Sequence, residues 1–456
     1  MPLMLKSSVC KSGARHALVF CAVLIAFGAA FYKVVQRPSS ALFQMPASFS
    51  NDGVQKTGVS QTNNAAPDIR THFVSSRQNI HTHAASLVEL SDGHIRAFWF
   101  AGSREGAEDV EIHSAVFDPA KNLWGPEHSI ANREDTQRSL LRYVKKLGNP
   151  VAQRASDATL WLFYVTVSLG GWAGSSITAI TSSDDGATWS PARRLITSPF
   201  INISTLVKGT PFLYSDGTMG LPVYHEFIGK FGEILRIKNN GRIANTAEII
   251  DKQRLSSGKS ILQPVMLIKN PQQAMVLMRQ SGESHGRVVA TTTDDAGQHW
   301  SLPAKTALAN PDAAISGVVL PDGRILVVLN NIEEGRDALS LVVSADGGAT
   351  WKTVYQLEDQ RGQPTEPARY LQAASELAKV TDASITDATG YAKSARRNKC
   401  DGQTCGFEFS YPYLIQTHSG DFHLVYTWNR SFIKHVQFTR AWLDQRMEKS
   451  TNAELY

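Results

Sequence analysis

The chain has 456 residues, 42% of them hydrophobic, with 46 Lys plus Arg against 41 Asp plus Glu and a formal charge of +5. That composition excludes whole-chain disorder, and its four cysteines are too few and too scattered for a disulfide-built miniprotein. The length suffices for two or three ordinary domains, or for one repeat-built β unit with a substantial core.

The first feature in chain order is an uncharged run over residues 17–32, preceded by Lys6, Lys11 and Arg15 and followed by Lys33 and Arg37. If Lys33 snorkels, the apolar segment reaches Val35 and approaches the ~20 residues a helix needs to cross the hydrocarbon core. Residues 1–37 are therefore expected to form a basic cytoplasmic flank and a single signal anchor, with the membrane span at about 17–35. A cleavable secretory signal is the alternative, because small residues occur at Gly28, Ala29 and Ala30. In either case the basic flank stays cytoplasmic and the rest is exported, to the periplasmic or extracellular side. Those five basic residues also account for the net charge, leaving 41 basic against 41 acidic groups. Residues 38–70, dominated by Ser, Asn, Gln, Ala and Pro, read as a flexible linker.

From residue 71 onward, turn signals recur before apolar, β-rich runs. They are Ser91-Asp92-Gly93, Ser156-Asp157-Ala158, Ser215-Asp216-Gly217, Asn270-Pro271-Gln272, Pro321-Asp322-Gly323 and Ser419-Gly420-Asp421. Their central positions are separated by 65, 59, 55, 51 and 98 residues. The long last gap holds an Ala, Ser, Asp and Lys-rich insertion at about 366–405, partly helical around residues 370–379. Short strands at this spacing predict six β-sheet units, and radial repetition is how such units avoid open edges. The expected fold is an all-β, six-bladed β-propeller over 71–446, behind the single N-terminal transmembrane helix and followed by a tail at 447–456. The segment around Arg133, Arg138, Arg142, Lys145 and Lys146 is interrupted by Glu134 and Asp135 and reads as a solvated face, so no nucleic-acid partner is expected.

A second pattern is more specific. Ser182-x-Asp184-x-Gly186-x-Thr188-Trp189 and Ser344-x-Asp346-x-Gly348-x-Thr350-Trp351 are intact copies of one motif, and Thr293-x-Asp295-x-Gly297-x-His299-Trp300 is a weakened third. Asp can bond the turn's backbone N–H groups, Gly supplies a positive φ, and Trp packs the hairpin against its neighbour. With these motifs the sequence resembles the Asp-box, or bacterial-neuraminidase-repeat, proteins of the sialidase superfamily, over roughly residues 75–445. That resemblance implies a six-bladed propeller and a glycan or polysaccharide substrate.

Both sets of turns lie on one face of such a propeller, so ligand chemistry is expected on the other, at the starts of first strands and the ends of second strands. Those positions hold His81, His83, Arg104, Glu105, Glu108, Asp109, Asn149, Trp172, Tyr224, His225, Glu226, Gln263, Arg279, Asn330, Arg336, Asp337, Glu408, Tyr411, Trp428, Asn429 and Arg430. Guanidinium groups bind carboxylates bidentately and aromatics cover a sugar ring, which suits an anionic sugar.

The resemblance implies particular roles. Arg279 and Arg336 match the family's second and third carboxylate-clamp arginines, Tyr411 stands at its nucleophile, and Asp109, with Glu105 as the alternative, is the candidate acid/base in the first blade's loop, where Arg104 also lies. Two family positions differ: His83, with His81 two residues before it, replaces the first clamp arginine, and Gln263 replaces the glutamate that activates the tyrosine. Glu226 or Glu408 is then expected to supply the missing carboxylate. The expected activity is that of a sialidase-like glycoside hydrolase (exo-α-sialidase type), with Tyr411, Asp109 and Glu226 catalytic and His81, His83, Arg104, Gln263, Arg279 and Arg336 binding substrate. A polysaccharide lyase acting on uronic-acid glycans through Tyr411 or His83, and a non-catalytic glycan-binding propeller, are the alternatives. Scaffold roles are open for His81 and His83, a surface pair for Arg336 and Asp337, and a bridge between blades for His225 and Glu226. Cys400 and Cys405 are expected to close a short loop as a disulfide in an oxidising compartment. No cysteine or histidine set has metal-ligand spacing, so no metal or other cofactor is expected.

Overall fold

The computed structural model describes residues 8–35, 40–46, 67–198, 202–239, 247–255, 260–282, 286–363 and 366–452. Residues 1–40 and residues 41–456 form two separate compact units. In the first, Ser8–Val35 is a helix. Among the described residues no helix is long and apolar enough to cross a membrane, so the span expected at 17–35 is unsupported at that level.

Among the described residues the second unit contains six antiparallel sheets of four or five strands, the blades, and one two-stranded sheet, Cys400–Asp401 with Thr404–Cys405. Blade one begins with His81–Glu89, blade two with Lys146–Arg154, blade three with Leu206–Val207, blade four with Ile261–Ile268, blade five with Ser316–Val319 and blade six with Phe409–Gln416. Each is completed by three further strands, or four in blades one and three. Blade six takes its outermost strand from the opposite end of the unit. Ile69–Phe73 pairs with Phe432–Phe438, from Ile69 opposite Phe438 to Phe73 opposite Lys434, and so closes the ring. This is the six-bladed all-β propeller that the turn spacing predicts, and its blade interfaces hold the apolar cores.

The repeated turns have one physical origin. At Asp92, Asp157, Asp216 and Asp322 the carboxylate Oδ1 accepts from the backbone N–H two residues on, at 3.0–3.1 Å. The Asp-boxes close similarly. Asp184 and Asp346 each accept from the backbone N–H at 2.8 Å and the hydroxyl at 2.6 Å of Thr188 and Thr350 respectively. The weakened box works too, because His299 provides the backbone N–H at 2.9 Å and its ring Nδ1 at 2.6 Å to Asp295. Gly348, at φ 101°, occupies a backbone region that a side chain would strain.

Two expectations need amendment. The insertion is more regular than a partly helical stretch: Pro367–Thr381 and Ala388–Lys399 are helices packed on blade six, followed by the Cys400–Cys405 disulfide. The linker expected at 38–70 departs from that description at 41–46. There Phe43 is buried against the rings of Phe212 and Tyr214, at 5.7 and 5.6 Å, and its N–H donates to Pro271 O at 2.8 Å. A large aromatic in a polar stretch gains more by burial than chain entropy costs it. Residues 47–66 lie outside the described residues.

Candidate functional site

The site is built on one recurring backbone device. Ala84, Asn149, Ser204, Gln263, Asp312 and Tyr411 all have left-handed φ, between 45° and 58°, and each lies in or just before the first strand of its blade. Four of them fall at register shifts in those strands: 83/86, 148/151, 262/265 and 410/413. Pro150, Pro264 and Pro412 follow three of them and have no N–H to give the ladder, so the strand bulges there. Each bulge re-aims a side chain that a regular strand would send elsewhere.

The re-aimed side chains meet. Gln263 Nε2 donates to both Tyr411 Oη and Tyr224 Oη at 3.3 Å, and Asn149 Nδ2 donates to Tyr224 Oη at 3.3 Å. The Tyr411 ring lies 4.2 Å from that of His83, whose Nδ1 is 2.9 Å from Thr427 Oγ1. Burial, followed by the Arg430 charge, holds His83 well below its usual range, and His81 is lowered to about 4 by the same two causes. Both imidazoles are therefore neutral at pH 7. Burial pushes the Tyr224 phenol up, and the neighbouring Tyr411 and Glu226 raise it further, so it stays protonated.

Arg279 Nη1 and Arg336 Nη2 donate to the same acceptor, the Asp312 carbonyl, at 3.3 and 2.8 Å. Arg279 Nε also lies 3.2 Å from Asp312 Oδ1. Burial works against the Arg279 charge, but Tyr411, Asp312, Tyr224 and Glu226 more than offset it and raise its pKa. Arg336 Nη1 sits 3.7 Å from Glu408 Oε1. Glu408 also accepts from Arg430 Nε at 2.7 Å, Lys399 Nζ at 2.8 Å and Ser410 Oγ at 2.7 Å. Burial alone would raise this carboxyl, yet Arg430 and Lys399 hold it at about 2. Glu408 is thus a fixed anion and a poor proton acceptor.

The structure therefore brings together His81, His83, Gln263, Arg279, Arg336 and Tyr411. Glu226 is half-buried beside them, its N–H bonded to Ser204 Oγ at 2.7 Å and its charge acting on Tyr224 and Arg279. His225 is engaged elsewhere, 2.7 Å from Glu233 Oε2 within blade three. Asp109 is exposed and accepts from Ser103 N and Oγ at 2.9 Å, which ties its carboxylate to its own loop. Arg104 is exposed on that loop. No contact among the described residues links Asp109 or Arg104 to Tyr411.

Sequence reasoning missed three members. Lys208 is buried, donates to Pro412 O at 3.0 Å and lies 5.6 Å from the centre of the Tyr411 ring. Asp312 supplies the carbonyl shared by the two arginines, and Lys399 reaches in from the end of an insertion helix. An isolated Lys or Asp beside a short inner strand carries no pattern. The X-Pro dipeptides at Asn149, Gln263 and Tyr411 were the available signal for the bulges. Among the described residues no cluster of metal-ligating side chains occurs.

The BNR repeat-like domain family matches residues 93–424. No curated protein matches the chain significantly. Among solved structures, the Hadza microbial sialidase Hz136 is 16% identical with a TM-score of 0.57, over 79% of this chain and 66% of that one. A protein of unknown function from Dyadobacter fermentans is 12% identical with a TM-score of 0.58, over 81% of this chain and 99% of that one. The K499G mutant of NanB sialidase from Streptococcus pneumoniae is 10% identical with a TM-score of 0.56, over 80% and 70% respectively. At these identities the likeness is one of fold.

Proposed function

The chain belongs to the BNR repeat-like domain family, and we propose that its propeller is a sialidase-like glycoside hydrolase that removes a terminal carboxylate-bearing sugar from glycans. The observation that carries this reading is the convergence of Arg279 and Arg336 on one carbonyl in the cluster that contains Tyr411. Two guanidiniums fixed by a shared acceptor keep N–H groups for a ligand carboxylate, whose orientation then fixes the sugar relative to the phenol. In this reading Tyr411 Oη attacks the anomeric carbon as the glycosidic C–O bond breaks, and Asp109 gives its proton to the leaving oxygen. Glu226 accepts the phenolic proton. Water then cleaves the glycosyl-tyrosine bond and returns Asp109 and Glu226 to their starting states; sialidases of this kind are the tyrosine exceptions to the two-carboxylate rule. Asp109 must leave Ser103 to act, which a loop on the site face permits.

A second reading has its own observation. Gln263 occupies the hydrogen-bonding position next to Tyr411, and an amide cannot take a proton away, whereas the neutral His83 imidazole packs directly on the phenol. That pair suits β-elimination from a uronic acid, with Arg279 and Arg336 neutralising the carboxylate, one of His83 and Tyr411 removing the adjacent C–H proton, and the other giving a proton to the glycosidic oxygen as its C–O bond breaks. Incubation with a fluorogenic sialoside and, separately, with uronate polysaccharides followed at the absorbance of the unsaturated product decides between them. Neither product would leave a glycan-binding propeller, and full turnover by Tyr411→Phe would end both catalytic readings.

Localisation belongs with this proposal. The exposed Leu18, Val19, Phe20 and Ile25 lie on a helix flanked by basic residues, and the disulfide suits an oxidising compartment, supporting a membrane-anchored protein with an exported propeller. Release of the full chain from membranes by an alkaline wash would refute anchoring.

A further inference from the structure

The second helix of the insertion, Ala388–Lys399, reaches the site with its last three residues. Arg397 Nη1 donates to Asn79 O, Asn398 Nδ2 lies 2.9 Å from both Ile80 O and Ser431 Oγ, and Lys399 Nζ donates to Glu408 Oε2 at 2.8 Å. Glu408 also accepts from Arg430 Nε at 2.7 Å and stands 3.7 Å from Arg336 Nη1, so one carboxylate gathers cations from the insertion, blade six and blade five. The backbone around it is tied in the same way. Asn429 N donates to Glu408 O at 2.7 Å, Phe409 N to Arg336 O at 2.7 Å and Thr82 N to Arg430 O at 2.9 Å.

Contacts made by a helix's last turn are the first to be lost, because its final carbonyls lack intrahelical partners and the end frays. Here the chain leaves the helix directly into a hairpin. Cys400 pairs with Cys405 and Asp401 with Thr404, and Gly406 N then donates to Lys399 O at 3.2 Å. Two residues per strand are too few to hold such a pair in water. The Cys400–Cys405 disulfide supplies what the ladder lacks, and it lies in sequence between Lys399 and Glu408, fixing the register in which they face each other. Cys400 is half-buried and Cys405 is 4% exposed, so an incoming thiolate attacks the Cys400 sulfur and expels the Cys405 thiolate.

We propose that this disulfide is a redox latch on the site: closed, it holds the helix's last turn against Glu408 and the Asn429-Arg430 turn, and open, it lets that turn fray and draw Asn398 and Lys399 away. Closing it passes two electrons and two protons from the two thiols to a disulfide oxidant, which leaves as two thiols; a dithiol reverses the exchange. The cluster is thereby set only after the chain enters an oxidising compartment. The latch does not depend on which ligand the cluster takes.

Hydrogen exchange of the full chain at pH 7, read by mass spectrometry with and without dithiothreitol, tests it. Reduction should speed exchange roughly tenfold in the peptides carrying the Thr82, Phe409 and Asn429 amides, the scale of one lost charge-assisted hydrogen bond, and leave Met219–His225 in blade three unchanged. Oxidised glutathione should restore the protection. Acceleration confined to 400–406 would make the disulfide a loop staple, uniform acceleration a general stabiliser, and either result, or no change, overturns the proposal. Lys399→Met in the oxidised chain must speed the same peptides, and reduction must then add little; a full additional acceleration means that the disulfide acts by another route and overturns the latch. Should Lys399→Met fail to fold, the double variant Cys400→Ser, Cys405→Ser must show the reduced pattern without reductant, and the oxidised pattern refutes it.

Discussion

Replacing Lys208 by Met should stabilise the protein below neutral pH, despite removing a hydrogen bond at the centre of the propeller. Lys208 is 4% exposed and its ammonium donates to Pro412 O at 3.0 Å. Burial first, and then the Arg279 charge, lower its pKa from 10.5 to about 7. Below pH 7 the group is charged in both folded and unfolded chains, and the folded state carries the full burial penalty. Between 7 and 10.5 the unfolded chain binds more protons, so stability rises with pH; above 10.5 both forms are neutral and the penalty is gone. At ~1.4 kcal/mol per pH unit the penalty is at most ~5 kcal/mol, and relaxation with water penetration brings it to about 2–3 kcal/mol. Losing the bond to Pro412 O returns ~1 kcal/mol, so Lys208→Met should gain about 1–2 kcal/mol at pH 6. At pH 9.5 it should gain nothing or lose slightly. Guanidinium unfolding followed by tryptophan fluorescence at pH 6, 7.5 and 9.5 gives the difference between the two proteins. Lys146 and Lys269 are also lowered by burial, but they are common to both chains and cancel in that difference. A difference that stays constant from pH 6 to 9.5 would refute the reasoning.

Further outcomes follow from other buried groups. His81 and His423 are lowered to about 4, and His83 and His435 well below their usual value, in each case chiefly by burial. Their contribution is complete above pH ~6.5 and is lost as pH falls toward 4, at up to ~1.4 kcal/mol per pH unit for each. The melting temperature should thus drop steeply between pH 6.5 and 4.5, and a flat profile would contradict neutral burial. Phe43→Ala removes a ring packed on Phe212 and Tyr214 and should cost ~3 kcal/mol in chemical unfolding; no change would mean that 41–46 does not dock in solution. A Cβ on Gly209 would stand 2.0 Å from Pro264 O, so Gly209→Ala should cost about 1–3 kcal/mol and displace the adjacent Gln263. Melting at the wild-type temperature would show that the backbones are farther apart.

The fold was legible because its signals are local and repeated. An Asp two residues before the N–H it caps, or an Asp-box with its Gly and Trp, shapes its own turn whatever the distant chain does, and even His299 in place of Thr preserves the closure. The pairing of Ile69–Phe73 with blade six and the docking of Phe43 were not legible, since each depends on a surface more than 160 residues away in sequence. That Arg279, Arg336 and Tyr411 lie together could be read because strand ends on one face are few. Lys208 could not, because its importance lies in a carbonyl, Pro412 O, that a bulge turns toward it.

The same bulges explain why function and strain coincide here. Six left-handed residues, one per blade, cost of order 1–2 kcal/mol each, and a regular inner strand would avoid that cost. The cost is borne by the packed blade cores, and in return Asn149, Gln263 and Tyr411 point to common partners instead of alternating across the sheet. Residues held this way cannot relax independently, because each bulge is clamped between neighbouring blades. The cluster is therefore preformed, with Arg279 and Arg336 already positioned by Asp312 and Glu408, so that on the proposed reading a sugar carboxylate would not have to gather them.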